Sequence, residues 1–285
     1  MKKKRIKVSA CIITYNHEKF LEKCLESAIG QKLDFDYEII IGEDKSTDNT
    51  LAICKKYERK YPDLIKVIER DQNLGMVGNW LSTLKECEGD YIALCEGDDF
   101  WTDSHKLEKQ LKLLLENEDY TICGSKVQSL NESKVRKESE GKIYGEINLD
   151  QVLRKNQFTT CSAVVKKSAL DLPPWENFND FFTVDWPIWC SLLRYGKGYN
   201  LESVTAQYNI HSAGATSGRN RINTLKNKLE DRILMIENFP TKKNIIKNYG
   251  LKIIFHYTWK SLLGRKDFYN ALLENKKLVK SYFLY

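Results

Sequence analysis

The chain has 285 residues, 42% hydrophobic and 29% charged, an ordinary globular composition with enough length for a sizeable core. No apolar run approaches the roughly 18 residues of a membrane-spanning helix, and the basic start "MKKKRIKVSACIITYN" lacks the small-residue cleavage pattern of a signal peptide. The net charge of +6 is unevenly placed: residues 221–285 hold 14 Lys+Arg against 5 Asp+Glu, a net of +9, which leaves −3 for residues 1–220. The basic excess therefore belongs to the tail, where it suits an anionic membrane surface or solubility, and a nucleic-acid partner is not expected.

In chain order, "IKVSACIITYN" (6–16) reads as a first strand that stops at polar residues. Phe20, Leu21, Cys24, Leu25, Ala28 and Ile29 recur at helical spacing. Residues 37–41 form a strand followed by the polar loop "GEDKSTD", where Ser46 or Thr47 is expected to cap a helix that Pro62 ends. "LIKVIER" is another strand, "NLGMVGNWLSTLKECEG" a helix closed near Gly89, and "YIALC" the next strand. Strands alternating with helices over 100 residues imply βαβ units and a largely parallel sheet, covered on both faces because its strands are nearly all apolar.

Beyond residue 100 the pattern changes. "DSHKLEKQLKLLLENED" is a helix, "TICGSKVQSL" a strand, and "NESKVRKESEGKIYGE" a polar, mobile loop. "FTTCSAVVKK" reads as a strand, "WPIWCSLLRYG" as a helix with Pro187 near its start, and "GYNLESVTAQYNIH" as one or two short strands ending at His211. "SAGATSGRNR" is small and flexible, and the sequence from about 221 reads as wholly helical. These signals give two parts, an α/β domain over 1–220 and a basic amphipathic extension over 221–285. The eight cysteines stand singly, without a CxxC pair, and fit free core thiols in a reducing cytosol rather than a disulfide framework or a zinc site.

Three polar clusters fall at carboxyl ends of strands: residues 14–16, 42–48 and 96–101. Ligands of such sheets bind beyond those ends, so the topology gathers the clusters on one rim. Asp98 and Asp99 repel each other, and burial raises their pKa values unless a cation compensates. Hard oxygen ligands suit Mg²⁺ or Mn²⁺, which takes one or two carboxylates and completes its shell with substrate phosphates. No GxGxxG or Walker A sequence occurs.

"VSACIITYNHEKFLEKCLESAIGQ", "YEIIIGEDKSTDNT", "NLGMVGNW", "GDYIALCEGDDFWTD" and "VDWPIW", in this order over residues 6–215, resemble the family 2 glycosyltransferases with the GT-A fold, in particular bacterial members that build surface glycans. The resemblance implies a Rossmann-like mixed, mostly parallel sheet flanked by helices. It also implies residue roles. Thr14, Tyr15 and Asn16 line the base and ribose pocket; Asp44 accepts a hydrogen bond from a uracil or thymine N3–H; Asn73 and Gly75 close the nucleotide site. Asp98 lies near the ribose or metal, Asp99 ligates the metal, and His211 matches a histidine that some members place on metal or diphosphate. Asp185 falls at the catalytic base. Many members carry DxDD where this chain has "EGDD", and Glu96 is left without a role.

Each of these residues has a plainer reading: a turn cap for Asp44, an N-cap for Asp185, a structural histidine at 211. Trp101 and Trp186 suit stacking on sugar rings or packing in the core, and Thr160 is a weaker candidate for sugar contact. The expected activity is a metal-dependent, inverting transfer from a nucleotide diphosphate sugar, UDP-sugar favoured over dTDP-sugar, to a hydroxyl of a glycan or lipid-linked acceptor in polysaccharide synthesis. The expected location is the cytoplasm, peripheral on the inner face of the membrane. The alternative is a non-catalytic nucleotide-sugar-binding or membrane-docking subunit of an assembly complex. The tail's apolar residues are expected mainly to pack on the catalytic domain or a second copy, with its lysines free for lipid phosphates.

Overall fold

The computed structural model describes residues 8–131, 134–136, 142–170, 180–212, 214 and 221–250. In the first half, β1 (Val8–Thr14), β2 (Tyr37–Glu43), β3 (Ile65–Glu69) and β4 (Tyr91–Glu96) alternate with α1 (Leu21–Ile29), α2 (Thr50–Lys60) and α3 (Gly75–Glu86). β1 pairs in parallel with both β2 and β4, and β2 pairs in parallel with β3. The chain thus runs outward from β1 through β2 to β3, then returns to the other side of β1. The change of direction opens a crevice beyond the carboxyl ends of β1 and β4.

The second half contains β5 (Phe100–Trp101), α4 (Lys106–Glu116), β6 (Tyr120–Asn131), β7 (Lys134–Arg136), β8 (Gly145–Ile147), α5 (Leu149–Arg154), β9 (Val164–Lys166), α6 (Asp185–Leu192), β10 (Lys197–Ile210) and α7 (Arg221–Asn238). Among the described residues the ten strands form one sheet with the order β3-β2-β1-β4-β9-β6-β10-β5, with β7 on β6 and β8 on β10. β9 is antiparallel to both neighbours, whereas β6 and β10 are parallel. The sheet is therefore mixed and its long strands are parallel.

Strand periodicity explains why both faces are covered. Val8, Ala10 and Ile12 of β1 join Leu21 and Leu25 of α1, Cys54 of α2 and Leu107 and Leu111 of α4. The alternate residues Cys11 and Ile13 pack with Trp80 and Leu84 of α3 and with Trp189 of α6. Two faces drawn from one strand require both parities to be apolar. All eight cysteines are buried and free, as their apolar neighbours suggest.

Four local expectations change. α2 starts at Thr50, beyond Ser46 and Thr47, because Ser46 Oγ instead accepts Asn16 N at 3.0 Å and Asp48 Oδ1 accepts Thr50 N at 2.9 Å. The expected strand over 158–167 shrinks to β9, preceded by a 3-10 turn at Thr160–Ser162. Ser162 Oγ donates to Thr159 O, a side-chain bond that competes with strand pairing. Residues 197–210 form one long strand, broken only by register shifts on β6. Within the expected loop 131–146, residues 134–136 pair as β7, and 132–133 and 137–141 lie outside the described residues.

The core runs on across residue 220. Met235 and Ile236 of α7, with Phe239 and Ile246, belong to the same cluster as Trp189 and Ile92. Part of the extension is thus packed on the sheet domain, while residues 251–285 and most of 212–220 lie outside the described residues. Among the described residues no helix is long and apolar enough to cross a membrane.

Candidate active site

The end of β1 and the loop after β2 are knitted together. Asn16 adopts φ 55°, a left-handed conformation that asparagine tolerates. Its Oδ1 accepts Thr47 N at 2.8 Å. Asp44 N donates to Thr14 O, and Asp44 Oδ1 accepts Leu74 N at 2.7 Å. Asn73 reaches back to Asp44 O at 3.0 Å and accepts Gly75 N at 3.0 Å, with Gly75 at φ 73°. Thr14, Asn16, Asp44, Asn73 and Gly75 therefore meet at one rim, and Tyr15 is 42% exposed beside them. The turn cap considered for Asp44 is supplied by Glu43, which accepts Lys45 N and Ser46 N. Burial pushes Asp44 above the usual carboxylate range, against the Leu74 and Gly75 amides.

β4 delivers the acidic cluster. Gly97 N donates to Ile13 O, so the chain stays against β1 for one residue past the strand. A Cβ on Gly97 would stand 2.6 Å from Thr14 Oγ1 and 3.0 Å from His17 Nδ1, so only glycine permits this approach. Asp98 Oδ2 then lies 3.0 Å from His211 Nε2 and 3.7 Å from His17 Nε2. His211 stacks on Phe20 with ring centroids 4.5 Å apart. His17 was not singled out by sequence reasoning. Its signal is its place three residues past the end of β1, facing the β4 turn. Burial lowers its pKa, and the Asp98 charge works the other way.

Asp99 lines the same cavity as Asp98. It is 1% exposed, and its Oδ1 accepts Asn209 N at 2.7 Å. Burial, then Glu96 and Asp98, raise its pKa well above the carboxylate range. Asp99, the expected cation ligand, thus keeps one oxygen without a partner at the cavity, and Asp98 stands beside His211. Sequence could not separate the two, because adjacent residues of a turn point in directions that only the turn fixes.

Glu96, Asp98 and Asp99 line a cavity of about 300 Å³ together with Thr160, Val184 and Asp185. Glu96 Oε2 is shut off from solvent without a hydrogen-bond partner. Burial, then the charges of Asp98 and Asp185, push Glu96 up to about 8. Asp185 opens α6 and does not precede it as an N-cap. Its Oδ2 accepts Asn156 Nδ2 at 2.7 Å, and burial raises its pKa. Trp101 and Trp186 are 4% and 6% exposed, and their indole N–H groups donate to Cys161 O and Val152 O. Neither lines the cavity, so stacking on a sugar there differs from where the structure puts them; Thr160 does line it.

The arrangement is chemically coherent for a divalent cation. The carboxylates suit a hard ion such as Mn²⁺ or Mg²⁺, and neighbouring acids that raise one another are what a cation relieves. Among the described residues no group of three His, Cys, Asp or Glu that could hold a metal ion occurs.

Residues 9–171 match the model of glycosyl transferase family 2. The chain is 32% identical over 212 residues to an uncharacterised protein of Mycobacterium tuberculosis, covering 73% of this chain and 60% of the relative. It is 35% identical over 130 residues to EpsE of Bacillus subtilis, named as a glycosyltransferase, covering 46% of each. The chain spans about 60% of the length of the mycobacterial relatives it matches. Among solved structures, TarS of S. aureus in complex with UDP-GlcNAc gives a TM-score of 0.67 at 18% identity, over 88% of this chain and 73% of that one. A mannosyltransferase of Pyrobaculum calidifontis in complex with GDP-Man and Mn²⁺ gives 0.59 at 15% identity, over 98% and 83%. These likenesses agree with the GT-A fold expected from the sequence. Asp185 and His211 lie beyond the matched segment, and their link to the site comes from the fold. On its motifs, its fold and the span of this match, the chain belongs to glycosyl transferase family 2.

Proposed function

We propose that the protein transfers a sugar from a nucleotide diphosphate sugar, UDP-sugar in the first instance, to a hydroxyl of a glycan or lipid-linked acceptor in surface polysaccharide synthesis, with inversion. The observation that carries this is the shared cavity, which Asp98, beside His211, and Asp185 both line. The nucleotide-sugar complexes of the two structural neighbours support a donor of this class.

In this reading the rim of Thr14, Tyr15, Asn16, Asp44, Asn73 and Gly75 takes the nucleotide. The carboxylate of Asp44 has one oxygen committed to Leu74 N, which leaves the other to accept from a base N3–H. Asp98, His211 and the unpartnered Oδ2 of Asp99 would hold Mn²⁺ or Mg²⁺, with His17 behind them, while Asp99 Oδ1 supports the turn through Asn209. When bound, the ion supplies Lewis-acid stabilisation of the departing diphosphate and orients it. Asp185 accepts the proton of the acceptor hydroxyl as that oxygen attacks the anomeric carbon. A single base opposite the leaving group gives one displacement, hence inversion; the oxocarbenium-like character matches that of glycoside hydrolysis. Glu96, held protonated near neutral pH by its surroundings, adds no further negative charge to the cavity. Location on the inner face of the membrane, through lysines of the extension, belongs to the same proposal.

The test is direct binding of UDP and UDP-sugars with and without Mn²⁺. Failure to bind UDP under either condition rejects the reading.

A further inference from the structure

Asp185 does not stand alone at the cavity wall. Asn156 Nδ2 donates to its Oδ2 at 2.7 Å. The amide is itself fixed, because Asn156 Oδ1 accepts Phe158 N at 3.1 Å, which leaves the NH₂ end for Asp185. Lys142 Nζ donates to both Asn156 O and Phe158 O at 3.0 Å, clamping residues 156–158 to each other. Lys142 spends its donors on two carbonyls of this short segment, and its charge also favours an ionised Asp185. From the opposite side, Asp231 of α7 accepts Phe182 N at 2.7 Å and Thr183 Oγ1 at 3.0 Å, which pins the segment that leads into Asp185. The titratable groups facing Asp185 are thus Glu96 on β4, Lys142, Asp231 and Cys190 of its own helix, with Asp98 and Asp99 lining the same cavity.

We propose that Asn156 is a positioning residue for Asp185, orienting its carboxylate at the cavity wall through an amide that Phe158 and Lys142 lock. The catalytic meaning of this rests on the reading of Asp185 as the base. The physical reason for an amide there is specific. A carboxylate removed from water reverts to its neutral form unless donors stabilise its charge, and a neutral acid cannot accept the acceptor's proton. A lysine at the same place would pair with the base and quench it. A neutral donor keeps it charged and leaves it basic. Lys142 acts both by holding the amide's segment and through its own charge.

The experiment uses the full chain labelled with ¹³C at aspartate carboxyls, the Asp185 signal being identified by its loss in Asp185→Asn. Asn156→Ala is expected to move the Asp185 titration midpoint upward by about one to two pH units, the range for losing a hydrogen bond to a charged group. Asn156→Asp, which is isosteric and keeps the acceptor for Phe158 N, is expected to move it at least as far, and it guards against misfolding of the alanine variant. UDP with Mn²⁺ should bind both variants within about twofold of the wild type, since the amide lies away from the nucleotide rim. An unmoved Asp185 midpoint in both variants overturns the proposal. If the wild type binds no UDP while the midpoint shifts, the proposed function falls and the Asn156–Asp185 coupling stands; if UDP binds and the midpoint is unmoved, the coupling alone falls.

Discussion

His211 Nε2 lies 3.0 Å from Asp98 Oδ2 although 113 residues separate them in the chain. The contact joins the last residues before the glycine-rich segment 212–218 to the turn after β4, and Asn209 strengthens it by donating to Asp98 O and Asp99 Oδ1. Asp98→Asn or His211→Ala is expected to remove the Mn²⁺ dependence of UDP binding. The loss should exceed about 100-fold in affinity for Mn²⁺, the upper end seen when only a supporting partner of a metal ligand is lost. Calorimetric titration of Mn²⁺ in the presence of UDP checks this. Asp99→Asn should cost less than Asp98→Asn in the same titration, since Asp99 has one carboxylate oxygen already committed to Asn209 N.

Asp185→Asn should leave UDP affinity near that of the wild type and lower transfer by roughly 10²- to 10⁴-fold, the usual contribution of a positioned base. Donor turnover assayed beside UDP binding separates the two effects. A full rate in this variant would exclude Asp185 as the base.

The raised acids make a prediction about pH. Glu96 ionises near 8 in the folded protein and near 4.5 in the unfolded chain, so between these values the folded state holds a proton that the unfolded state has released. Stability of the metal-free protein therefore declines as pH rises from about 5 to about 8. Asp44, Asp99 and Asp185 are displaced in the same direction and add to the slope. Thermal unfolding in a chelator across this range should show a falling midpoint, and Glu96→Gln should flatten the curve.

Gly97→Ala tests the close approach of β1 and β4. Its methyl would meet Thr14 Oγ1 at 2.6 Å and Thr14 Cβ at 2.8 Å, and a side chain within a paired strand end has little room to give. A loss of about 1–3 kcal/mol of stability is expected, as for other overpacked positions, together with weaker UDP binding as the Asp98 turn is pushed outward. Denaturant unfolding and UDP titration of the same preparation measure both.

The first hundred residues were readable because their signals are local. Both parities of β1 are apolar, helical spacing recurs between strands, and the polar clusters fall at strand ends. The site was readable in part for the same reason, since Thr14 ends a strand and Asp44 and Asp98 each follow one. The rest depends on contacts distant in sequence. Thr160 sits in a 3-10 turn that hydroxyl-to-backbone bonds select over a strand. Which of Asp98 and Asp99 faces His211 is set by the turn and by Asn209, over a hundred residues away. Trp186 looks like a sugar platform beside an acid, but Arg232 of α7 covers its ring, with the guanidinium carbon 4.7 Å from the centroid.

Asp231 has a consequence for how the protein can be rearranged. It reaches from α7 to the backbone of Phe182 and Thr183, directly before Asp185, and its neighbour Arg232 covers Trp186, directly after it. Chimeras between relatives are naturally spliced at the glycine-rich segment near residue 215. A splice there would separate 231–232 from the 182–186 segment they grip, so the helix after the junction is no interchangeable cassette. A working hybrid has to carry residues 180–190 and 221–250 from the same parent.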